Sequence, residues 1–357
     1  MIMRTGPIAI VLPRKMQFSP RNATSIDLCV HDFVLHSAYK QQTIVVAEEC
    51  EQPFDDINLE SFPKSGAMHR MRNISRILNR IQPKVIVVHQ HLLTASKLAK
   101  VFSHIPVVLH RHNFTPKAKN WLSQKIVARR MRKLAAFVVV SEACKQQLRQ
   151  DWPGLQCPVH VVHNGLDLSG WFPKAEREKT IVCVSNGHPN KGTLEVVEAM
   201  LQVLPDYPEW RGKIICPEVK GHEDYYTRLS EGAARSSQLE LINGLPFAQI
   251  KSLCEEASIN IVASHMESFG RVAIEAFSGG SALISTRSGG LDEVIGDAAV
   301  SFDSGDSQQL AESLGRLMDD SELRRCYALR GQKRVKALFD INAASKQLDR
   351  VYTCISG

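Results

Sequence analysis

Two glutamates, Glu267 and Glu275, stand with seven residues between them in the stretch MESFGRVAIEAFSGG, and Phe269 and Gly270 lie in the gap. Paired carboxylates can share general acid and general base duties. They can also hold a ligand in place. The residues between them favour placement. Arg271 to Phe277 read as a helix opening directly after a glycine. Free backbone N–H groups and the helix dipole make such an opening a site for an anion. Gly270 and the later pair Gly289-Gly290 let the backbone approach a phosphate closely. Five histidines crowd a second region, His89, His91, His104, His110 and His112, at spacings that match no zinc motif. No isolated Asp-x-Asp occurs; Asp303 to Asp306 reads as a helix-start loop and Asp319-Asp320 as a helix end. The expectation is that no metal and no cofactor is required.

These residues must be positioned by an alternating framework. Strands are expected at 8–12, 43–46, 85–88, 107–109, 137–140 and 159–162. A second series is expected at 181–184, 213–215, 239–242, 259–262, 282–284 and 299–302. Between them 69–81, 117–134, 192–204, 246–257 and 307–318 carry apolar residues at helical spacing. Near-continuous apolar strands alternating with helices predict parallel sheets covered on both faces. The break between the series, 164–180, holds Gly, Pro and a charge run, which places a linker near 168–180. The expected fold is α/β: two doubly wound Rossmann-like domains, 1–168 and 169–340, facing across a cleft where ligands bind at strand carboxyl ends.

A chain of 357 residues suits two domains better than one core. The run at 8–12 is too short for a signal-peptide core, and nine scattered cysteines without a Cys-x-x-Cys pair argue against disulfides or zinc. The expected setting is cytoplasmic. The net charge of +7 conceals an asymmetry: residues 61–141 contain no Asp or Glu but 16 Lys and Arg, so the remainder is acidic. Arg72, Arg76 and Arg80 form a helical stripe opposite Ile74, Leu78 and Ile81, and 117–133 adds seven cations, among them Lys125, Arg129 and Arg130, around Trp121 and Leu122. An anionic membrane surface, a phosphorylated glycolipid or nucleic acid could answer such a face.

The 259–295 block resembles the signature of family 4 retaining glycosyltransferases of the GT-B fold, in which an E-[GS]-F-G-x4-E-A motif is met here by Glu267, Ser268, Phe269, Gly270, Glu275 and Ala276. VHNGLDLSGWFP (162–173) is similar to the family's interdomain motif, VSNGHPNKG (184–192) to its V-G-R-x4-K-G loop, and PVVLHRHN (106–113) to its strand ending in His-Asn. The tail resembles the family's closing helices, which implies that 341–357 returns to the first domain. The resemblance implies that Glu275 binds ribose hydroxyls of a nucleotide diphosphate sugar and that Glu267 contacts the sugar. It casts Phe269, Gly270, Arg271 and Val272 as the diphosphate cradle, with Ser268 beside it, and Lys191 as the cation facing the leaving group. His112 would lie near the reacting carbon, and Gly244 and Leu245 would line the base. Fixed cations and oriented N–H groups can stabilise a departing diphosphate without an ion.

Two departures stand out. The family's Gly-Arg is Ser185-Asn186 here, and Arg271 is the residue that could replace the missing cation. The first loop, 13–28, lacks the usual glycines and offers Arg14, Lys15 and Arg21, so the acceptor cannot be carried over from relatives. The expected reaction is retaining, metal-independent hexosyl transfer to an anionic glycan or glycolipid, such as lipopolysaccharide core or a related envelope glycan, at the inner face of the plasma membrane. Arg14, Arg21, Arg72, Arg76, Arg80, Lys125, Arg129 and Arg130 would form the acceptor or membrane surface. A dinucleotide oxidoreductase needs a Gly-x-Gly-x-x-Gly turn that neither series contains. A nucleic-acid binder lacks a recognisable module. A sugar-nucleotide epimerase of the same fold remains the alternative, and a phosphorylase would need a cofactor pocket that is not evident.

Overall fold

The computed structural model describes residues 5–16, 18–21 and 23–357. The chain separates into two compact units: one runs to Asp167 and takes back Ile341–Gly357, the other spans Leu168–Asp340. Gln17 and Asn22 of the basic first loop lie outside the described residues.

The first unit contains β1 (Ile8–Val11), α1 (Ser25–Leu35), β2 (Thr43–Glu48), β3 (Leu59–Phe62), α2 (Ala67–Ile81), β4 (Val85–His89), α3 (Leu92–Val101), β5 (Val107–Arg111), α4 (Trp121–Met131), β6 (Ala136–Val139), α5 (Glu142–Asp151) and β7 (Val159–Val161). Its strands form one parallel sheet in the order β3-β2-β1-β4-β5-β6-β7. Strand order reverses between β1 and β4, which makes their carboxyl ends the place where a doubly wound sheet opens a crevice. β1, β4 and β6 are buried throughout, as a sheet covered on both faces requires.

The second unit contains β8 (Glu178–Val184), α6 (Thr193–Val203), β9 (Arg211–Ile215), α7 (Glu223–Ala233), β10 (Leu239–Ile242), α8 (Phe247–Glu256), β11 (Ala257–Val262), α9 (Arg271–Ser278), β12 (Ala282–Ser285), α10 (Gly290–Ile295), β13 (Val300–Ser301), α11 (Ser307–Asp319) and α12 (Ser321–Leu338). Its parallel sheet is ordered β10-β9-β8-β11-β12-β13, reversing between β8 and β11. The last helix, α13 (Ile341–Ser356), belongs to the first unit. Ile341, Ala344, Leu348 and Tyr352 are buried in the core that also holds Ile10, Val30 and Phe33. Asp349 accepts hydrogen bonds from Ser37 Oγ at 2.6 Å and from the Ala38 amide at 2.9 Å. Gly165 permits the approach: a Cβ there would stand 2.7 Å from the Ile341 Cα.

Two strands depart from the expectation. β3, with sequence LESF, has only two apolar residues and alternation too brief to register, yet it pairs with β2 as an edge strand. β8 begins at Glu178, inside the expected linker, because its polar first residues continue the ladder to β11, where Glu178 pairs with Ala257.

Candidate active site

In the second unit, β11 delivers the chain to a loop of 263–270 that ends in the first turn of α9. Gly270 is the N-cap, with φ of +100°. A Cβ there would meet Leu291 Cδ1 at 2.5 Å, so both conformation and space call for glycine. No side chain caps α9, and the Ala273 amide donates to the Gly270 carbonyl at 3.0 Å. Phe269 is buried against Phe339, ring centroids 5.6 Å apart, and anchors the loop.

The carboxylates of this loop and of α9 are ion-paired. Glu267 Oε2 lies 2.5 Å from Lys191 Nζ and accepts from Ser264 Oγ at 3.4 Å. The Ser268 amide donates to Glu267 Oε1 at 3.2 Å, and the Gly290 amide donates to the Glu267 carbonyl at 2.8 Å. Lys191 ends a short 3₁₀ turn, Pro189–Lys191, that Gly192 closes at φ of +64° against the Ala263 carbonyl. Arg271 Nε donates to Glu275 Oε1 at 2.9 Å along α9, and both side chains are about nine-tenths covered. Arg271 also stands over the Phe247 ring, 5.8 Å from its centroid. The structure therefore joins Lys191, Glu267, Ser268, Gly270, Arg271 and Glu275 around one helix start, with Val272 in its first turn.

Asn186 is exposed in the loop after β8, its Oδ1 accepting from the His188 amide at 3.2 Å. Gly244 turns the chain after β10 at φ of +73°, with Leu245 half-buried beside it. Sequence reasoning passed over Ser264, Thr286 and Ser288. Thr286 Oγ1 and Ser288 Oγ both donate to the Ser264 carbonyl, at 2.7 and 2.6 Å, and tie the loop before α9 to the loop before α10. Serines and a threonine near glycines carry no distinctive spacing, so no signal marked them.

In the first unit, the parallel register sets His89 opposite His110, and His112 follows two residues later. Three of the five histidines thus form one buried cluster, which no spacing motif marked, with His89 Nδ1 and His112 Nε2 2.8 Å apart. Burial pushes His110 down to about 3, and burial with the His110 neighbour holds His89 well below the ordinary imidazole range. Arg111 points the other way, its guanidinium donating to the carbonyls of Gln90 and Phe114 at 2.5 and 2.8 Å. A cavity of about 450 Å³ opens beside Arg111, with Leu92, Leu109, Val127, Met131 and Phe137 in its wall.

Arg14, Arg21, Arg72, Arg76, Lys125 and Arg129 are exposed, and Arg130 is half-buried. Arg80 pairs with Glu60 at 2.5 Å. Trp121, Leu122 and Ile126 are exposed on α4, and Lys125 stands 4.7 Å over the Trp121 ring.

Two doubly wound parallel units in this order constitute the GT-B class of fold. The chain aligns with the structure of Anabaena HepE in complex with UDP and glucose at a TM-score of 0.80, covering 97% of this chain and 99% of that one at 17% identity. Sucrose-phosphate synthase from Thermosynechococcus elongatus aligns at 0.78, with 98% of each chain covered and 15% identity. Residues 171–334 match the glycosyl transferases group 1 model and residues 43–169 match glycosyltransferase family 4; the chain belongs to these glycosyltransferases. Among curated relatives, the alpha-maltose-1-phosphate synthase of Mycolicibacterium smegmatis is 24% identical over 334 residues, 82% of this chain and 85% of that protein.

Proposed function

We propose that this glycosyltransferase moves a hexose from a nucleotide diphosphate sugar, with retention at the anomeric carbon, to a hydroxyl of an anionic glycan or glycolipid, such as lipopolysaccharide core or a related envelope glycan. The observation that carries the reading is the Lys191–Glu267 pair beside the uncapped start of α9. A diphosphate seated on the N–H groups of residues 269–272 would compete with Glu267 for Lys191. Glu267, released from the lysine, would then be free to contact sugar hydroxyls. That HepE was solved with UDP and glucose supports a donor of this kind.

In the proposed step the bond between the anomeric carbon and the phosphate oxygen breaks and the acceptor oxygen bonds to that carbon. The acceptor proton passes to the departing phosphate. The helix N–H groups and Lys191 stabilise the charge that builds on the leaving oxygen, and no ion is needed for this. Glu275 would reach the ribose by exchanging its bond to Arg271, and Arg271 would stand in for the cation missing at Asn186. Gly244 and Leu245 would line the base. The part of His112 in the reaction rests on the resemblance alone.

No helix of the described residues is long and apolar enough to cross a membrane. A peripheral contact with anionic lipid is the reading that best suits α4, where Trp121, Leu122 and Ile126 lie exposed among Lys125, Arg129 and Arg130. Met68 with Arg72 and Arg76 repeats the combination on α2. This would place the enzyme at the inner face of the plasma membrane.

A thermal-shift panel of UDP-, GDP- and ADP-sugars tests the donor. A rise in Tm with one nucleotide series is expected; no rise with any would sink the reading. NMR of the product then reads retention directly, and an inverted anomeric centre would overturn the mechanism.

A further inference from the structure

We infer that the cavity beneath α4 holds one molecule of an anionic lipid, with an acyl chain against its apolar wall and the phosphate between Arg111 and the lysines of the 115–120 segment. The inference deepens the peripheral-membrane reading and rests on it for the choice of a lipid over a free anion. Every lining residue belongs to the first unit, so the site stands independently of the donor assignment.

Three observations carry it. The first is the space and its lining. About 450 Å³ falls within the roughly 300–1,000 Å³ that ligand pockets occupy. Leu109 of β5 and Phe137 of β6, which are register partners, meet Val127 and Met131 of α4 across it. The second is charge of one sign. Arg111, Lys117 and Lys119 line the cavity, and no Asp or Glu does. Lys117 reaches Asp151 at 3.2 Å, a surface pair of the kind that exchanges at little cost. The third is Arg111 itself. Its terminal nitrogens donate to the carbonyls of Gln90 and Phe114, but its Nε is buried with no hydrogen-bond partner. Burial lowers the proton affinity of this guanidinium, and no carboxylate offsets that. A buried cation held only by neutral carbonyls is incompletely satisfied, and an anion in the cavity would supply the missing countercharge.

The two faces of α4 identify the ligand as a lipid. Ser123, Val127 and Met131 recur every four residues and turn one face of the helix to the cavity. Leu122, Ile126 and Arg129 fall on the opposite face and are exposed, flanked by Trp121 and Lys125. One helix therefore offers apolar and basic groups to solvent on its outer side and roofs a basic, apolar-walled cavity with its inner side. Lying on an anionic bilayer through the outer face, it would bring the cavity to headgroup depth. Leu109 and Arg111 share one face of β5, which sets the guanidinium at the end of the apolar wall. Phosphate at Arg111 with a chain running along Leu109 and Phe137 matches that order.

The test uses the full-length protein and dihexanoyl phosphatidylglycerol, a short-chain anionic lipid, below its micelle concentration. Titration calorimetry should show one lipid per chain, and amide exchange should slow in the 115–120 segment and in α4. Dihexanoyl phosphatidylcholine, which is zwitterionic, and glycerol 3-phosphate, which lacks the chains, should each bind at least about 10-fold more weakly. Val127→Trp fills the cavity and should abolish binding of the monomeric lipid while sedimentation with anionic vesicles persists. The two readings then fail separately: wild type that takes the monomeric lipid without sedimenting supports the cavity and sinks the membrane contact. No binding of the lipid by wild type, or protection confined to other segments, would overturn the inference. So would equal binding of glycerol 3-phosphate, which marks a free phosphate ester, or of the phosphatidylcholine, which marks a pocket blind to charge. Wild-type affinity in a folded Val127→Trp would do the same, and the ligand comparisons stand even if that variant does not fold.

Discussion

The two units handle charge in opposite ways. Around the start of α9 the charges are matched within the site: Lys191 with Glu267, Arg271 with Glu275. In the first unit, residues 61–141 contain no carboxylate, so its cations borrow partners from outside that stretch, Arg70 from Glu48, Arg80 from Glu60 and Lys117 from Asp151. The second arrangement leaves several arginines and lysines facing water. A ligand of the second unit must therefore exchange with an existing partner, at short range and with defined geometry. Whatever meets the first unit is drawn by a field, at longer range and with sensitivity to salt.

Breaking the borrowed pair inside the first unit should have the largest effect. Arg70 and Glu48 are buried 3.2 Å apart, and Arg70 also donates to the Leu12 carbonyl at 2.6 Å. Glu48→Leu strands a buried guanidinium, and we expect a loss of about 3–5 kcal/mol in denaturant unfolding. Wild-type stability in that variant would mean that Arg70 has a route to solvent.

Next comes the matched pair. Lys191→Ala should lower kcat by about 10²–10³-fold, as removal of one stabiliser of a developing charge does elsewhere, with the fold intact. A change only in KM would show that Lys191 grips the donor equally in ground and transition states. The surface field is weaker per residue. Replacing Arg72, Arg76 and Arg129 by Gln should reduce sedimentation with anionic vesicles by on the order of 10²-fold, at roughly 1 kcal/mol per cation. Turnover of a water-soluble acceptor should be unaffected. Equal binding of wild type to neutral and anionic vesicles at low salt would remove the membrane reading.

The smallest effect concerns His31. Burial lowers its proton affinity, but hydrogen bonds to Asp32 and Asp56 outweigh that and raise it overall. A raised folded-state value contributes stability that is full below about pH 6.5 and is lost as pH rises through the folded value. His31→Gln should therefore lower Tm at pH 5.5 by no more than about 2–4 °C and have less effect at pH 8.5. The same loss at both values would assign the role of His31 to stacking on Phe54, whose ring centroid is 4.1 Å away.

The framework was largely legible because buried parallel strands such as VIVV and IVCV advertise themselves as unbroken apolar runs. The loop before α9 was legible because glycine at a positive φ and a helix start leave a fixed local pattern. Long-range partnerships were not. The Arg271–Glu275 pair, four residues apart on one helix, follows from spacing, but nothing in the spacing shows that Lys191 reaches Glu267 across 76 positions, since tertiary folding sets that contact. The histidine cluster was missed for a related reason. Motifs are recognised by short spacing along one segment, whereas 89 and 110 meet through strand register. β3 escaped because an edge strand can be polar.

The return of α13 to the first unit sets an order of events during synthesis. The second unit, Leu168–Asp340, is continuous and can close as soon as it leaves the ribosome. The first unit emerges earlier but stays open, with the places of Ile341, Leu348 and Tyr352 unfilled until the ribosome has read past them. The half of the protein made first is thus finished last. For the interval between, the apolar surface that α13 covers in the finished unit is open to chaperones or to a neighbouring nascent chain.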